Sequence, residues 1–408
     1  MMAAENNFLS STSNPPIQAA RSAPGLSLHR VAPARVNLLG EHTDYTGGLV
    51  LPMAIPFTTH AAISPRSDNL YGFTSELFAE TLALDRDDRS LSRGIWADYP
   101  VGVLRQFQLH GIEPPAFDLH LSGNVPFGAG LSSSASVEVA TTMAILAFTG
   151  ASLSIEEIAV LARRAENDYV HSPCGIMDQF VITAAKAGHA LLLNTRDLTY
   201  EHLPMNKGAL ADTQIVVCNS LVKHSVATGE YRVRREELEE GQAVLCATFP
   251  NLRDLGDATL DQLNQCQHQM SHEAFIRCRH VVTENARVRA AREAMFSGDP
   301  ASLGELMLLA HASYRDDFAA SCEEVDFLVD TAIQLPGCFG ARLTGGGFGG
   351  CTVNLVERAR SNAFATTLKA AYQQRFNIAA ETYLCDAVDG AWLRNAPLPT
   401  TRAIQERA

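Results

Sequence analysis

Apolar and polar positions follow two rhythms along this chain, one of period two and one of period 3.6, so strands and helices are mixed throughout. Residues 31–65 read as strands and turns, and residues 94–110 read as a helix. Phe117, Leu119 and Leu121 alternate with Asp118 and His120, the pattern of a half-buried strand. Residues 135–148 are almost wholly Ala, Val, Thr, Met, Ile and Leu, which predicts a buried helix. Ser154 followed by Glu157 matches a capping box. The helix it opens has Ile155, Ile158, Ala159, Ala162 and Ala165 at apolar positions. Leu191 to Asn194 and Thr199 to Leu203 flank Arg196 and Asp197 as a hairpin would. Beyond residue 205 the texture changes. Helical stretches at 231–247, 280–295 and 303–314 are followed by strands at 340–343 and 351–356 around a glycine-rich turn. The pattern predicts an α/β (α+β) chain with a disordered lead-in over 1–25 and two domains, 26–205 and 206–408.

Length agrees with that division, because 408 residues exceed the size at which one hydrophobic core stops growing. The net charge of -13 argues against nucleic acid as a partner, since such binding needs a basic surface. Any anionic ligand must therefore meet a local exception built from backbone amides, a metal or a few arginines. No apolar run approaches membrane-spanning length, and the first twenty residues lack a basic segment ahead of an apolar one. The nine cysteines are odd in number, widely spaced and without a C-x-x-C pair, which argues against a disulfide framework or zinc cage. The expectation is a cytoplasmic protein with reduced thiols, acting on small molecules as a monomer, with no membrane partner.

Four segments carry candidate chemistry. In the first, Val36, Leu38 and Leu39 form a short apolar strand that Gly40 breaks, and Arg35, Glu41, His42, Thr43 and Asp44 crowd around the break. Carboxylates on a loop can hold sugar hydroxyls, because each accepts several hydrogen bonds. A neighbouring cation can neutralise charge that develops in a reaction. In the second, a strand feeds Gly123-Asn124-Val125-Pro126-Phe127-Gly128-Ala129-Gly130-Leu131-Ser132-Ser133-Ser134, which opens the buried helix. Backbone amides at a helix start suit phosphate. No lysine is present for a Walker loop, and Ser133 stands where a dinucleotide fingerprint needs glycine. One serine can cap the helix while another directs its hydroxyl to a phosphate-bound magnesium. A capped helix after a turn is the plainer alternative. The third segment pairs Glu166, late in its helix, with Asp178 among Ile176, Met177 and Phe180. Burying that carboxylate is costly unless it is paired or functional, although a helix N-terminal aspartate accounts for Asp178 alone equally well. The fourth, Arg342-Leu343-Thr344-Gly345-Gly346-Gly347-Phe348-Gly349-Gly350-Cys351, holds more glycine than a hairpin requires.

Together these segments resemble the GHMP small-molecule kinases and, within them, the galactokinase family. Residues 35–51 are similar to the family signature G-R-V-N-L-I-G-E-H-T-D-Y, 124–135 to its phosphate loop and 343–351 to its third motif. The resemblance implies a two-domain GHMP kinase fold with the site in the interdomain cleft. It also implies transfer of phosphate from ATP, with Mg2+, to the anomeric hydroxyl of α-D-galactose. Asp178 matches the family's base, and Arg35 the arginine that stabilises the transferring group. Glu41, His42, Thr43 and Asp44 match the sugar-binding cluster, with Tyr231 a further contact. Gly128, Ala129, Gly130, Leu131, Ser132, Ser133 and Ser134 match the loop around the phosphates. Ser134 and Glu166 match the magnesium ligands, and Ser75 and Trp96 fall where the family meets the nucleotide. Ala34 replaces a usual glycine and Thr46 a usual asparagine, and 171–173 differ from the usual approach to Cys174. The alternatives are an N-acetylgalactosamine kinase or other GHMP sugar kinase, and a non-catalytic regulator that binds galactose and ATP. The intact Ser132, Ser133, Ser134, Asp178 and Arg35 speak against the regulator.

Overall fold

The computed structural model describes residues 27–223 and 227–395, apart from the side chains of 223, 227, 228 and 231. The expected lead-in over 1–25 lies outside the described residues. In chain order the first half runs β1 (Leu28–Asn37), β2 (Leu49–Val50), β3 (Pro52–Pro65), β4 (Leu70–Ser75), β5 (Leu82–Asp85), α1 (Asp98–Leu109), β6 (Phe117–Gly123), α2 (Ser133–Thr149), α3 (Ile155–Arg164), α4 (Met177–Ala184), β7 (His189–Asn194) and β8 (Tyr200–Pro204). The second half adds β9 (Thr213–Lys223), α5 (Ala227–Thr248), α6 (Leu260–Gln265), α7 (His272–Ser297), α8 (Pro300–Asp316), α9 (Glu323–Ala332), β10 (Cys338–Thr344), β11 (Gly349–Glu357), α10 (Ser361–Phe376), β12 (Glu381–Cys385) and α11 (Ala391–Arg394).

Among the described residues three sheets result, ordered β1-β3-β6-β4-β5, β2-β7-β8 and β10-β11-β9-β12. Every pairing is antiparallel except that of β4 with β6. Alternation along β6 buries Phe117, Leu119 and Leu121 and leaves Asp118 and His120 exposed, as the period-two pattern requires. The apolar run of α2 packs on this sheet through Val139, Ala140, Ala144 and Ile145. Each large side chain buried in that core contributes about 1.5–3 kcal/mol relative to exposure.

The capping box at Ser154 and Glu157 forms and starts α3. The helix predicted from 94 begins instead at Asp98. Its carboxylate accepts the N–H groups of Arg93, Gly94 and Ile95 at 2.9, 2.6 and 3.1 Å, so those amides are held by a side chain ahead of the helix. After α3 the chain widens into a π-helical turn over Ala165–Val170, a local form that often accompanies function.

Four apolar clusters form among the described residues. One lies under the first sheet and its helices. A second joins Val36, Leu38 and Met53 of the first half to Val217, Val288, Met295 and Val353 of the second, and the two halves share it. The last helix, α11, returns to the first half. Ala391 enters the first cluster, and the Gly390 N–H donates to Ala185 O at 2.8 Å. By packing, this end of the chain sits with the first unit.

Candidate active site

The ends of β1, α2 and α4 converge on Arg35. Its Nε and Nη2 donate to Oδ1 and Oδ2 of Asp178 at 2.7 and 2.6 Å, a bidentate pair, and Nη1 donates to Gly130 O at 2.7 Å. The Ser132 hydroxyl donates to the same Asp178 Oδ2. Ser132 was expected among the candidates to cap α2, but its side chain makes no capping bond. Its backbone is left-handed at φ 61°, a conformation that turns the hydroxyl onto Asp178. Carbonyls of the glycine loop face inward. Leu131 O accepts the Arg35 backbone N–H at 3.3 Å, and Ala129 O accepts Cys351 Sγ at 2.9 Å. That leaves the first amides of α2, at Ser133 and Ser134, with the orphan character of any helix start.

The acidic turn after β1 is fixed from several sides. Gly40 has φ 94°, and a Cβ there would lie 2.5 Å from Leu49 O, so only glycine permits the chain reversal. Thr43, wholly buried, places its hydroxyl between Gly40 O and Leu49 O at 2.8 and 2.7 Å and closes the turn. Glu41 Oε1 accepts the Gly345 N–H at 3.0 Å and the Thr344 hydroxyl at 3.2 Å. Burial raises its pKa, while Arg342 and the Gly345 amide oppose that rise. Asp44 lies so close to Gly175 that a Cβ on that glycine would overlap its carboxylate. Burial, with Asp178 and Glu41 adding to it, pushes Asp44 up to about 7.

The His42 ring stacks on Phe318 at 4.1 Å, and its two nitrogens meet the hydroxyls of Tyr45 and Tyr314, each at 2.8 Å. Tyr314 donates its own proton to Gly345 O at 2.8 Å, so His42 Nε2–H donates to Tyr314 and Nδ1 accepts from Tyr45. Burial holds the ring far below the usual histidine range, which keeps this tautomer neutral. His42 thus ties the acidic turn to the second half. The side chain of Tyr231, on α5, lies outside the described residues.

Beside Asp178 a second carboxylate group forms. The Glu166 carboxyl is raised to about 7 by burial and then by Asp178, while the nearby Ser134 hydroxyl opposes that rise. Gln179 Nε2 donates to Glu166 Oε2 at 2.8 Å and to Glu138 Oε2 at 3.0 Å. Glu138 is fully buried, and among the described residues its Oε1 has no hydrogen-bond partner. Ser75 and Trp96 sit apart from this group on one rim. The Ser75 hydroxyl accepts from Leu77 N at 3.2 Å, and Trp96 donates to Glu80 O at 3.2 Å. Phe78 stacks on Trp96 at an interplanar angle of 4° and meets Phe127 of the glycine loop edge-on.

Family models for the GHMP kinases N terminal domain and the GHMP kinases C terminal match residues 98–186 and 291–374. The galactokinase galactose-binding signature matches residues 20–65, the span that holds Arg35, Glu41 and Asp44. A galactokinase of Roseiflexus sp. is 41% identical over 361 residues, 88% of this chain and 91% of that protein. The chain belongs to the galactokinase family. A Homo sapiens galactokinase is 40% identical over 368 residues, 88% of this chain and 90% of its own length. The crystal structure of Lactococcus lactis galactokinase complexed with galactose superposes with a TM-score of 0.85 at 30% identity, over 89% of this chain and 94% of that one. A Methanococcus jannaschii mevalonate kinase, at 18% identity and a TM-score of 0.65 over 90% of this chain and 100% of that one, shares the fold.

Within this galactokinase fold, sequence reasoning missed Glu138, Gln179, Phe127 and Arg342. A signal for Glu138 existed, since it is the one charged residue of α2 and stands four positions after Ser134. Phe127 is 64% exposed on the glycine loop, and its spacing gave no sign of the aromatic rim it joins.

Proposed function

We propose that this galactokinase transfers the terminal phosphoryl group of Mg-ATP to the anomeric hydroxyl of α-D-galactose, with Asp178 as base and Arg35 as its partner. The observation that carries this reading is the bidentate Arg35–Asp178 pair at the junction of the glycine loop and the acidic turn. The Arg35 guanidinium and the Ser132 hydroxyl hold the Asp178 carboxylate in one orientation, placed to take the proton. In the reaction the anomeric oxygen bonds to the γ-phosphorus, the bond to the β-phosphate oxygen breaks, and ADP leaves with that electron pair. The sugar proton goes to Asp178. Such transfers ask the protein mainly for positioning and charge stabilisation. Arg35 supplies the second, and Glu41 and Asp44 supply the first by accepting hydrogen bonds from sugar hydroxyls.

Magnesium fits the donors beside Asp178. Glu166 and Glu138 are buried carboxylates without a cation, one of them with an orphaned oxygen. Among the described residues no three His, Cys, Asp or Glu side chains gather into a metal site of their own. Ser134 and Glu166 would hold the ion jointly with phosphate oxygens. When bound it supplies charge neutralisation on the phosphates. The start of α2 cradles those phosphates, and the rim of Ser75, Trp96 and Phe127 meets the rest of the nucleotide.

This reading takes a single chain as the working unit. All nine cysteines are free, which supports a reducing, cytoplasmic setting. Among the described residues no helix is long and apolar enough to cross a membrane.

The test is ADP release across a sugar panel. Galactose turnover should exceed that of glucose, arabinose, galactosamine and N-acetylgalactosamine. Turnover of N-acetylgalactosamine equal to galactose would overturn the substrate assignment.

A further inference from the structure

Strand β10 and the glycine-rich turn after it have no part in the chemistry above, yet β10 holds Arg342, a fully buried arginine. Arg342 Nη1 donates to Leu38 O at 3.1 Å and lies 3.7 Å from Glu284 Oε1. Its Nη2 lies 3.6 Å from Glu41 Oε1, and among the described residues neither Nη2 nor Nε has a hydrogen-bond partner. Glu284 in turn accepts the Gly40 N–H at 2.7 Å and the Arg287 Nε–H at 2.6 Å. Burial alone would raise the Glu284 carboxyl, but Arg287, Arg342 and His280 outweigh it and bring the group down to about 2. A buried charge network of this kind is weak evidence for stability, and its best-attested use is to fix register.

Two residues further on, the Thr344 hydroxyl accepts the Asn37 N–H at 3.2 Å and has Asn37 O and Glu41 Oε1 at 3.0 and 3.2 Å as acceptors. Gly345 then serves both acidic-turn residues. Its N–H goes to Glu41, and its carbonyl receives Tyr314, which holds His42. The Thr344 hydroxyl and the Gly345 N–H both meet Glu41 at Oε1, and this pins one oxygen of the carboxylate.

We propose that Arg342, Thr344 and the Gly345 amide are positioning residues that aim Glu41 at one particular sugar hydroxyl, so the glycine-rich turn takes part in selecting the sugar. The inference rests on the reading of Glu41 as a sugar ligand. A site built to bond a hydroxyl rejects an analogue lacking it, because its polar groups are left unpaired. A carboxylate freed to rotate loses that discrimination first.

The experiment measures kcat/KM for galactose and for monodeoxygalactoses, each lacking a different hydroxyl, in wild type, Glu41→Gln, Thr344→Val and Arg342→Lys. Glu41→Gln identifies the hydroxyl whose loss it no longer registers. Thr344→Val and Arg342→Lys are expected to lower discrimination at that same hydroxyl by about tenfold, with the ratios for the other deoxy sugars and the KM for ATP unchanged. Thr344→Val keeps the shape of the site and carries the test alone if Arg342→Lys does not fold. Equal loss across all sugars, or a change at a different hydroxyl, overturns the inference and leaves the Glu41 reading standing. If Glu41→Gln shows no hydroxyl-selective change, the Glu41 reading fails and this inference with it.

Discussion

Burial holds the Asp44 carboxyl at about 7 against an ordinary value of 3.8, with Asp178 and Glu41 adding to the effect. The folded value lies above the unfolded one, so the protonated form favours folding. That contribution is full below pH about 4 and is lost as pH rises through about 7. Near neutral pH the ligand-free protein therefore carries a destabilising charge whose use is to receive sugar hydroxyls. Asp44→Asn removes the charge with little change of shape. It should raise the melting temperature of ligand-free protein by about a few degrees at pH 8, and by less at pH 5. It should also weaken galactose binding about tenfold or more. Thermal melts at the two pH values and calorimetric titration of galactose check both arms. A stabilisation independent of pH would contradict the charge argument.

At the scale of elements, the turn between β10 and β11 packs tightly against the end of α8 and the residues just after it. Gly347 has φ 89°, and a Cβ there would lie 2.6 Å from Ala320 O and 3.0 Å from the Tyr314 hydroxyl. Gly347→Ala should destabilise the protein by about 1–3 kcal/mol. It should also raise the KM for galactose, since Tyr314 holds His42. An unchanged melting temperature would show that the turn relaxes freely. The elements most legible in the sequence were those whose own residues carry a complete signal. β6 alternates, α2 is mostly apolar, and α3 has its capping box. The π-helical turn at Ala165–Val170 carried no such signal, because over six residues its longer hydrogen bonds leave no periodicity to read. The start of α1 was misplaced because Asp98 reaches backwards to three amides, an interaction that periodicity does not register. Arg35, Asp178, Glu41 and Asp44 were legible as chemistry, since charged groups beside glycine and apolar residues are conspicuous. Arg342 and Tyr314 were not, because their importance comes from partners about 300 and 270 positions earlier in the chain.

For the whole molecule, the decisive feature is the apolar cluster that Val36, Leu38 and Met53 share with Val217, Val288 and Val353. Neither half can bury these side chains alone, so the two should unfold together. Scanning calorimetry is expected to give one cooperative transition. Galactose at 100 times its Kd should stabilise the protein by about 2.7 kcal/mol. Two separated transitions, with galactose moving only one, would contradict a shared core. The same convergence of distant segments underlies the central claim, that the aspartate gripped by Arg35 takes the sugar's proton while the protein phosphorylates galactose. The most direct measurement follows product by phosphorus NMR after mixing Mg-ATP and galactose with wild-type or Asp178→Asn protein at equal galactose and ATP saturation. Wild type should form galactose 1-phosphate, and Asp178→Asn should form it about 10²–10⁴-fold more slowly while still binding ATP. Wild-type protein that makes no sugar phosphate, or a variant that makes it at the wild-type rate, would contradict the account.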